Sequence, residues 1–182
     1  MNAVIIFADG FEECEGLLFV DVLRRAEIPI TTVSISDSLT VHSLHDVDVK
    51  ADALLKDVKP EDFDVCIVPG GFIGMDNLKA SAETREFVQA FDKQDKPIAA
   101  VCSGPAVLKS YGVGEGHKVT SHFSVKEEIA PTDFVDQSVV EDGKLITGNG
   151  MAASIPAALA LVEKMKGREA RDATAHAIAY VE

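Results

Sequence analysis

Three short runs in this chain are apolar at every position: Ala3-Val4-Ile5-Ile6-Phe7, Val65-Cys66-Ile67-Val68 and Ile98-Ala99-Ala100-Val101. A strand with one wet face alternates apolar and polar side chains, whereas a strand covered on both faces does not. Each run therefore predicts a strand buried above and below. Each stops at turn-forming residues: Asp9-Gly10, Pro69-Gly70-Gly71 and Cys102-Ser103-Gly104-Pro105. Segments with helical spacing lie at 11–26, 82–94, about 104–111, 153–166 and 168–180, the last two divided by Gly167. Residues 30–35 read as a further strand. Alternation around Val47 and Val49 predicts a hairpin within 39–50, and Glu141-Asp142-Gly143 joins a second one between 135–140 and 144–147. Buried strands alternating with helices predict an α/β chain, a flavodoxin-like three-layer αβα sandwich with a mostly parallel central sheet and a small β-hairpin.

A length of 182 residues suits a single domain. No apolar stretch approaches the roughly eighteen residues a membrane span needs. The N-terminus reads as a first strand and not as a signal peptide, so a cytoplasmic protein is expected. Thirty acidic against seventeen basic residues give a net charge of −13. Such a surface repels phosphate backbones and anionic lipid heads, which argues against nucleic-acid or membrane partners. Cys14, Cys66 and Cys102 form no disulfide framework, and reduced thiols are expected. The five histidines do not cluster with them at ligand spacing, so no metal site is expected.

In open α/β sheets ligands bind beyond the carboxyl ends of the strands, here the loops at 9–12, 69–73 and 102–105. Cys102 leaves an apolar strand and opens a helix between small residues, the pattern of a nucleophile elbow. Backbone N–H groups at that turn are expected to favour the thiolate and to receive an oxyanion. Cys66, in mid-strand, reads as a small buried hydrophobe. In the first helix Leu18, Phe19, Val22, Leu23 and Ala26 mark the apolar face, and Glu15 extends that series backwards. A carboxyl group aimed at the sheet is costly unless paired or protonated, so Glu15 is expected to hold its proton beside Cys102. Gly70 and Gly71 are either backbone donors facing Cys102 or a tight turn. His122 is either a general acid or base or a surface histidine. His42 and His45 lie in the hairpin region, and Cys14 faces away from Glu15.

The combination Glu12-Glu13-Cys14-Glu15, Val68-Pro69-Gly70-Gly71, Ala99 to Pro105, Val119-Thr120-Ser121-His122 and the closing Ala157 to Glu163 resembles the ThiJ/PfpI superfamily, in the branch of the Parkinson-disease-associated deglycases and their bacterial relatives. The resemblance runs nearly the full chain and implies one domain, 1–182, of class I glutamine amidotransferase-like type, usually a homodimer. It implies catalytic roles for Cys102, Glu15 and His122, with Gly70, Gly71 and Ser103 as backbone donors. It implies a cofactor-free glyoxalase or deglycase acting on an α-oxoaldehyde such as methylglyoxal or on a glycated substrate. The alternative it implies is a non-enzymatic oxidative-stress sensor or chaperone that signals through oxidation of Cys102. Ser103 stands where the protease branch carries a histidine, which argues against peptidase activity. Two other departures bear on substrate range. Gly150-Met151-Ala152 replaces a Gly-Pro-Gly, and His45 replaces an arginine.

Overall fold

The computed structural model describes residues 1–129 and 133–181. Its main sheet contains β1 (Ala3–Phe7), β2 (Ile30–Ser34), β5 (Ala53–Leu54), β6 (Val65–Val68), β7 (Ile98–Val101), β8 (Val139–Asp142) and β9 (Leu145–Gly148), while β3 (Thr40–His42) and β4 (Asp48–Lys50) form a separate hairpin. The order across the main sheet is β5-β2-β1-β6-β7-β9-β8, and every pairing is parallel except that of the edge strand β8 with β9. The helices are α1 (Glu13–Arg25), α2 (Phe72–Ala80), α3 (Ala82–Lys93), α4 (Gly104–Ser110), α5 (Ser154–Lys166) and α6 (Arg168–Ala177).

The unbroken apolar strands have the consequence their composition requires. Along β1, Ala3, Ile5 and Phe7 enter one core with α1, α5 and α6, while Val4 and Ile6 enter another with α2, α3 and α4. Successive strand residues point to opposite faces, so a strand lying between two helical layers must be apolar throughout. This is the flavodoxin-like three-layer sandwich. Among the described residues no helix is long and apolar enough to cross a membrane.

Two elements are absent from the sequence reading. Helix α2 buries Gly74, Met75 and Leu78 and leaves Phe72 and Ile73 exposed, so its apolar residues trace no clear stripe. Strand β5 has two residues and pairs only with β2, too short to carry a period. Helix α1 begins at Glu13 and not at 11, because Phe11 is engaged in a bridge to Ser43 of the hairpin segment. Glu12 caps the helix, its Oε2 accepting the Glu15 N–H at 2.7 Å.

From β1 the chain moves to β2 on one side and later to β6 on the other. The loops after β1 and β6 therefore diverge, one to α1 on the first face and one to α2 on the second. A crevice opens at such a reversal, and the loop after β7 closes its end.

Candidate active site

Cys102 sits directly after β7 with φ at +58°, a left-handed backbone that L-residues other than glycine rarely adopt. Holding it costs about 1–3 kcal/mol, and the surrounding chain must over-determine it. It does so from both sides. The Cys102 N–H donates to the Gly148 carbonyl at 2.9 Å, and the Cys102 carbonyl accepts the His122 N–H at 2.8 Å. The elbow is thus clamped by β9 and by the segment that carries His122. Its side chain retains 8% exposure.

Glu15 lies in the first turn of α1 and is 1% exposed. Gly16 lets the helix come this close, since a side chain there would lie 2.7 Å from the Phe7 ring and 3.0 Å from Phe11. Those two rings stack with centroids 4.3 Å apart and form the floor under the helix start. Glu15 Oε2 accepts the Gly70 N–H at 2.9 Å, and the carboxyl lies beside the Cys102 thiol, which pulls its pKa down. Gly70 fits because it lacks a β-carbon. One placed there would be 2.5 Å from Glu15 Oε2 and 2.6 Å from the Cys102 β-carbon.

The Ser103 and Gly71 backbone N–H groups lie near the sulfur and favour its charged form. Gly70 is placed differently from the sequence expectation, because its N–H orients Glu15. Burial raises the Glu15 carboxyl to about 7, against the bonds from Cys102 and Gly70, which pull it down. Burial and the neighbouring Glu15 push Cys102 up to about 12, and the Ser103 and Gly71 N–H groups only partly oppose them. The sequence-based expectation of a thiolate favoured by backbone donors is corrected here, because the donors are outweighed. Each group resists ionisation while the other is charged, so near neutral pH the pair holds at least one proton between them.

His122 reaches Cys102 through its backbone. Its Nδ1 is 2.7 Å from Ser124 Oγ and accepts the Ser124 N–H at 3.4 Å, which places the proton of the neutral ring on Nε2, a tautomer inferred from these partners. His45 lies on the hairpin turn with Nδ1 2.9 Å from Glu13 Oε1. His42 pairs with Asp48 across the same hairpin. Cys66 is fully buried in β6, and Cys14 is exposed on α1. Glu12, Glu13 and His45 bring ligand-type atoms within 4.8 Å of one another. Glu12 caps α1, and Glu13 pairs with His45 through Oε1.

Two features escaped the sequence reading. Phe72 and Phe123 place their rings on either side of His122, at centroid distances of 5.8 and 4.2 Å. Their chain positions, directly after Gly71 and His122, were the available signal.

Residues 1–164 match the pattern of the DJ-1/PfpI family. The chain belongs to the DJ-1/PfpI family. It is 34% identical to protein dj-1beta of Drosophila melanogaster over 170 residues, covering 92% of this chain and 91% of that one. It is equally identical to the Parkinson disease protein 7 homolog of Danio rerio over 172 residues, with the same coverage. Among solved structures, oxidized Toxoplasma gondii DJ-1 matches with a TM-score of 0.96 at 28% identity, covering 100% of this chain and 99% of that one. Within this DJ-1/PfpI chain the buried carboxyl–thiol pair sits at the sheet reversal where the fold admits a ligand.

Proposed function

We propose that the chain is a cysteine-dependent, cofactor-independent glyoxalase or deglycase acting on α-oxoaldehydes such as methylglyoxal or on their adducts. The observation that carries this reading is the Cys102 elbow at φ +58° with the buried Glu15 carboxyl, held by the Gly70 N–H at 2.9 Å, packed beside it. Glu15 accepts the thiol proton as sulfur bonds to the aldehyde carbon, and the proton passes to the former carbonyl oxygen, giving a hemithioacetal. The backbone donors around the sulfur receive the developing oxyanion. Glu15 then takes the C1 proton and returns it to C2, while the C1 hydroxyl proton passes to the C2 oxygen. The aldehyde carbon is oxidised to a thioester as the ketone carbon is reduced to an alcohol. Water cleaves the thioester, releasing a 2-hydroxy acid and the free thiol. The protein's own thiol fills the place a soluble thiol would take. His122, fixed beside the elbow by its N–H to the Cys102 carbonyl, is a second donor in this reading.

The test is lactate formation from methylglyoxal without added thiol. Turnover is expected for the parent chain and not for Cys102→Ala; equal turnover in both ends the proposal.

A second reading is favoured by the same two donors and the protonatable Glu15, which suit a sulfinate as well as an oxyanion. Hydrogen peroxide would oxidise Cys102 and supply both oxygens, and the chain would act as an oxidative-stress sensor or chaperone. Sulfinate at Cys102 together with absent turnover selects it. Reduced thiols also fit a cytoplasmic setting. The partner in either reading is a second copy of the chain, seated on the apolar groove of about 580 Å³ between α1 and α5 that Leu17, Leu18, Met151 and Ile155 line. Sedimentation would report it as a dimer, and as a monomer after Leu17→Glu.

A further inference from the structure

His122, beside Cys102, is flanked by aromatic rings. The His122 N–H donates to the Cys102 carbonyl at 2.8 Å, which fixes that residue beside the elbow. Its imidazole meets Phe72 edge-on at 5.8 Å and Phe123 at 4.2 Å with a tilt of 35°. Phe72 is the residue after Gly71, whose N–H lies near the sulfur. Both phenylalanines therefore follow directly on residues that touch Cys102.

These rings are not spent on the core. Phe72 is 44% exposed and Phe123 is 76% exposed. Gly150 faces the same imidazole, and a β-carbon there would lie 3.8 Å from His122 Cδ2. Beside Phe123 lies a cavity of about 230 Å³ that Ser121, Lys126, Phe134, Asp136 and Asn149 also line. Single exposed apolar residues are ordinary, but here two rings join a third in one cluster around the residue that clamps the Cys102 carbonyl.

Resting on the glyoxalase reading, we propose that the preferred substrates are α-oxoaldehydes with an aromatic substituent, its ring packing among Phe72, His122 and Phe123. Aromatic pairs prefer edge-to-face and offset arrangements, and Phe72 already meets the imidazole edge-on. The chemistry is unchanged and balanced. Sulfur adds to the aldehyde carbon, the C1 proton moves to C2, the ketone beside the aryl group becomes the alcohol, and water releases a 2-aryl-2-hydroxy acid.

The probes are phenylglyoxal and methylglyoxal. The readout is the ratio of their kcat/KM values in the parent chain, Phe72→Ala, Phe123→Ala and Phe123→Tyr. Comparing ratios cancels the intrinsic reactivities of the two aldehydes. The ratio is expected to favour phenylglyoxal in the parent chain, to fall roughly threefold to tenfold with each alanine substitution, and to recover in Phe123→Tyr. A ratio that none of these substitutions moves overturns the proposal while leaving the glyoxalase reading intact. Protection of Cys102 from iodoacetamide by each probe gives the same comparison without turnover. If neither probe is turned over, the glyoxalase reading fails, and the protection ratio still decides whether the mouth selects aryl groups.

Discussion

Glu15 and Cys102, from the first helix and the seventh strand's end, meet in the interior across Gly70, whose N–H holds the carboxyl at 2.9 Å and where a β-carbon would lie 2.5 Å from Glu15 Oε2 and 2.6 Å from the Cys102 β-carbon. Three loops from three parallel strands meet there. The consequences of that contact are open to measurement.

Glu15→Gln keeps the shape and removes the proton acceptor. Turnover of methylglyoxal is expected to fall by a factor of about 10² to 10⁴, with the thiol still present by mass spectrometry. A variant within twofold of the parent removes the carboxyl from the mechanism.

The same group sets a pH dependence of stability. Its folded pKa is raised from 4.5 to about 7, so the folded chain keeps a proton that the unfolded chain has released. Stability is therefore highest below about pH 4.5 with respect to this group, and declines as pH rises towards 7. The loss is on the order of 3 kcal/mol. Urea unfolding between about pH 4 and about pH 8 should show the decline, and Glu15→Gln should flatten it.

Cys102→Ala removes a bond that holds the Glu15 pKa down. Carbon-13 NMR titration of the glutamate carboxyls is expected to find Glu15 titrating at higher pH in this variant. An unchanged titration contradicts the hydrogen bond.

Gly70→Ala puts a β-carbon where Glu15 Oε2 and the Cys102 β-carbon already are. Overpacking of this kind costs about 1–3 kcal/mol. Lower stability in urea is expected along with turnover reduced more than tenfold, on the order of the 1.4 kcal/mol that a tenfold change represents. Parent-like behaviour in both assays means the backbone can give way.

The other cysteines should be told apart by alkylation. Cys14 is exposed, but burial and the charges of Glu12, Glu13 and Glu15 raise its pKa, so labelling should need alkaline solution. Cys66 is fully buried and its pKa is raised by burial alone, so labelling should need unfolding. Peptide mapping after iodoacetamide reads both.

Much of this site was legible because it obeys local rules. The strand before Cys102 is apolar and the residues after it are small, so the elbow is visible at sight. Glu15 declares itself by standing on the apolar face of its helix. The Phe72 and Phe123 rings did not, because an aromatic residue after a turn reads as core until its exposure is known.

The sequence by itself determined the layers, since strands apolar at every position have to be covered twice, and it determined that a carboxyl group would be carried inward. What only the tertiary structure decided is the state and pairing of the groups. The sulfur's proton, the use of the Gly70 N–H and the aromatic walls depend on distances between residues far apart in the chain. Local pattern records which way a side chain faces; electrostatics and hydrogen bonding depend on what it meets there.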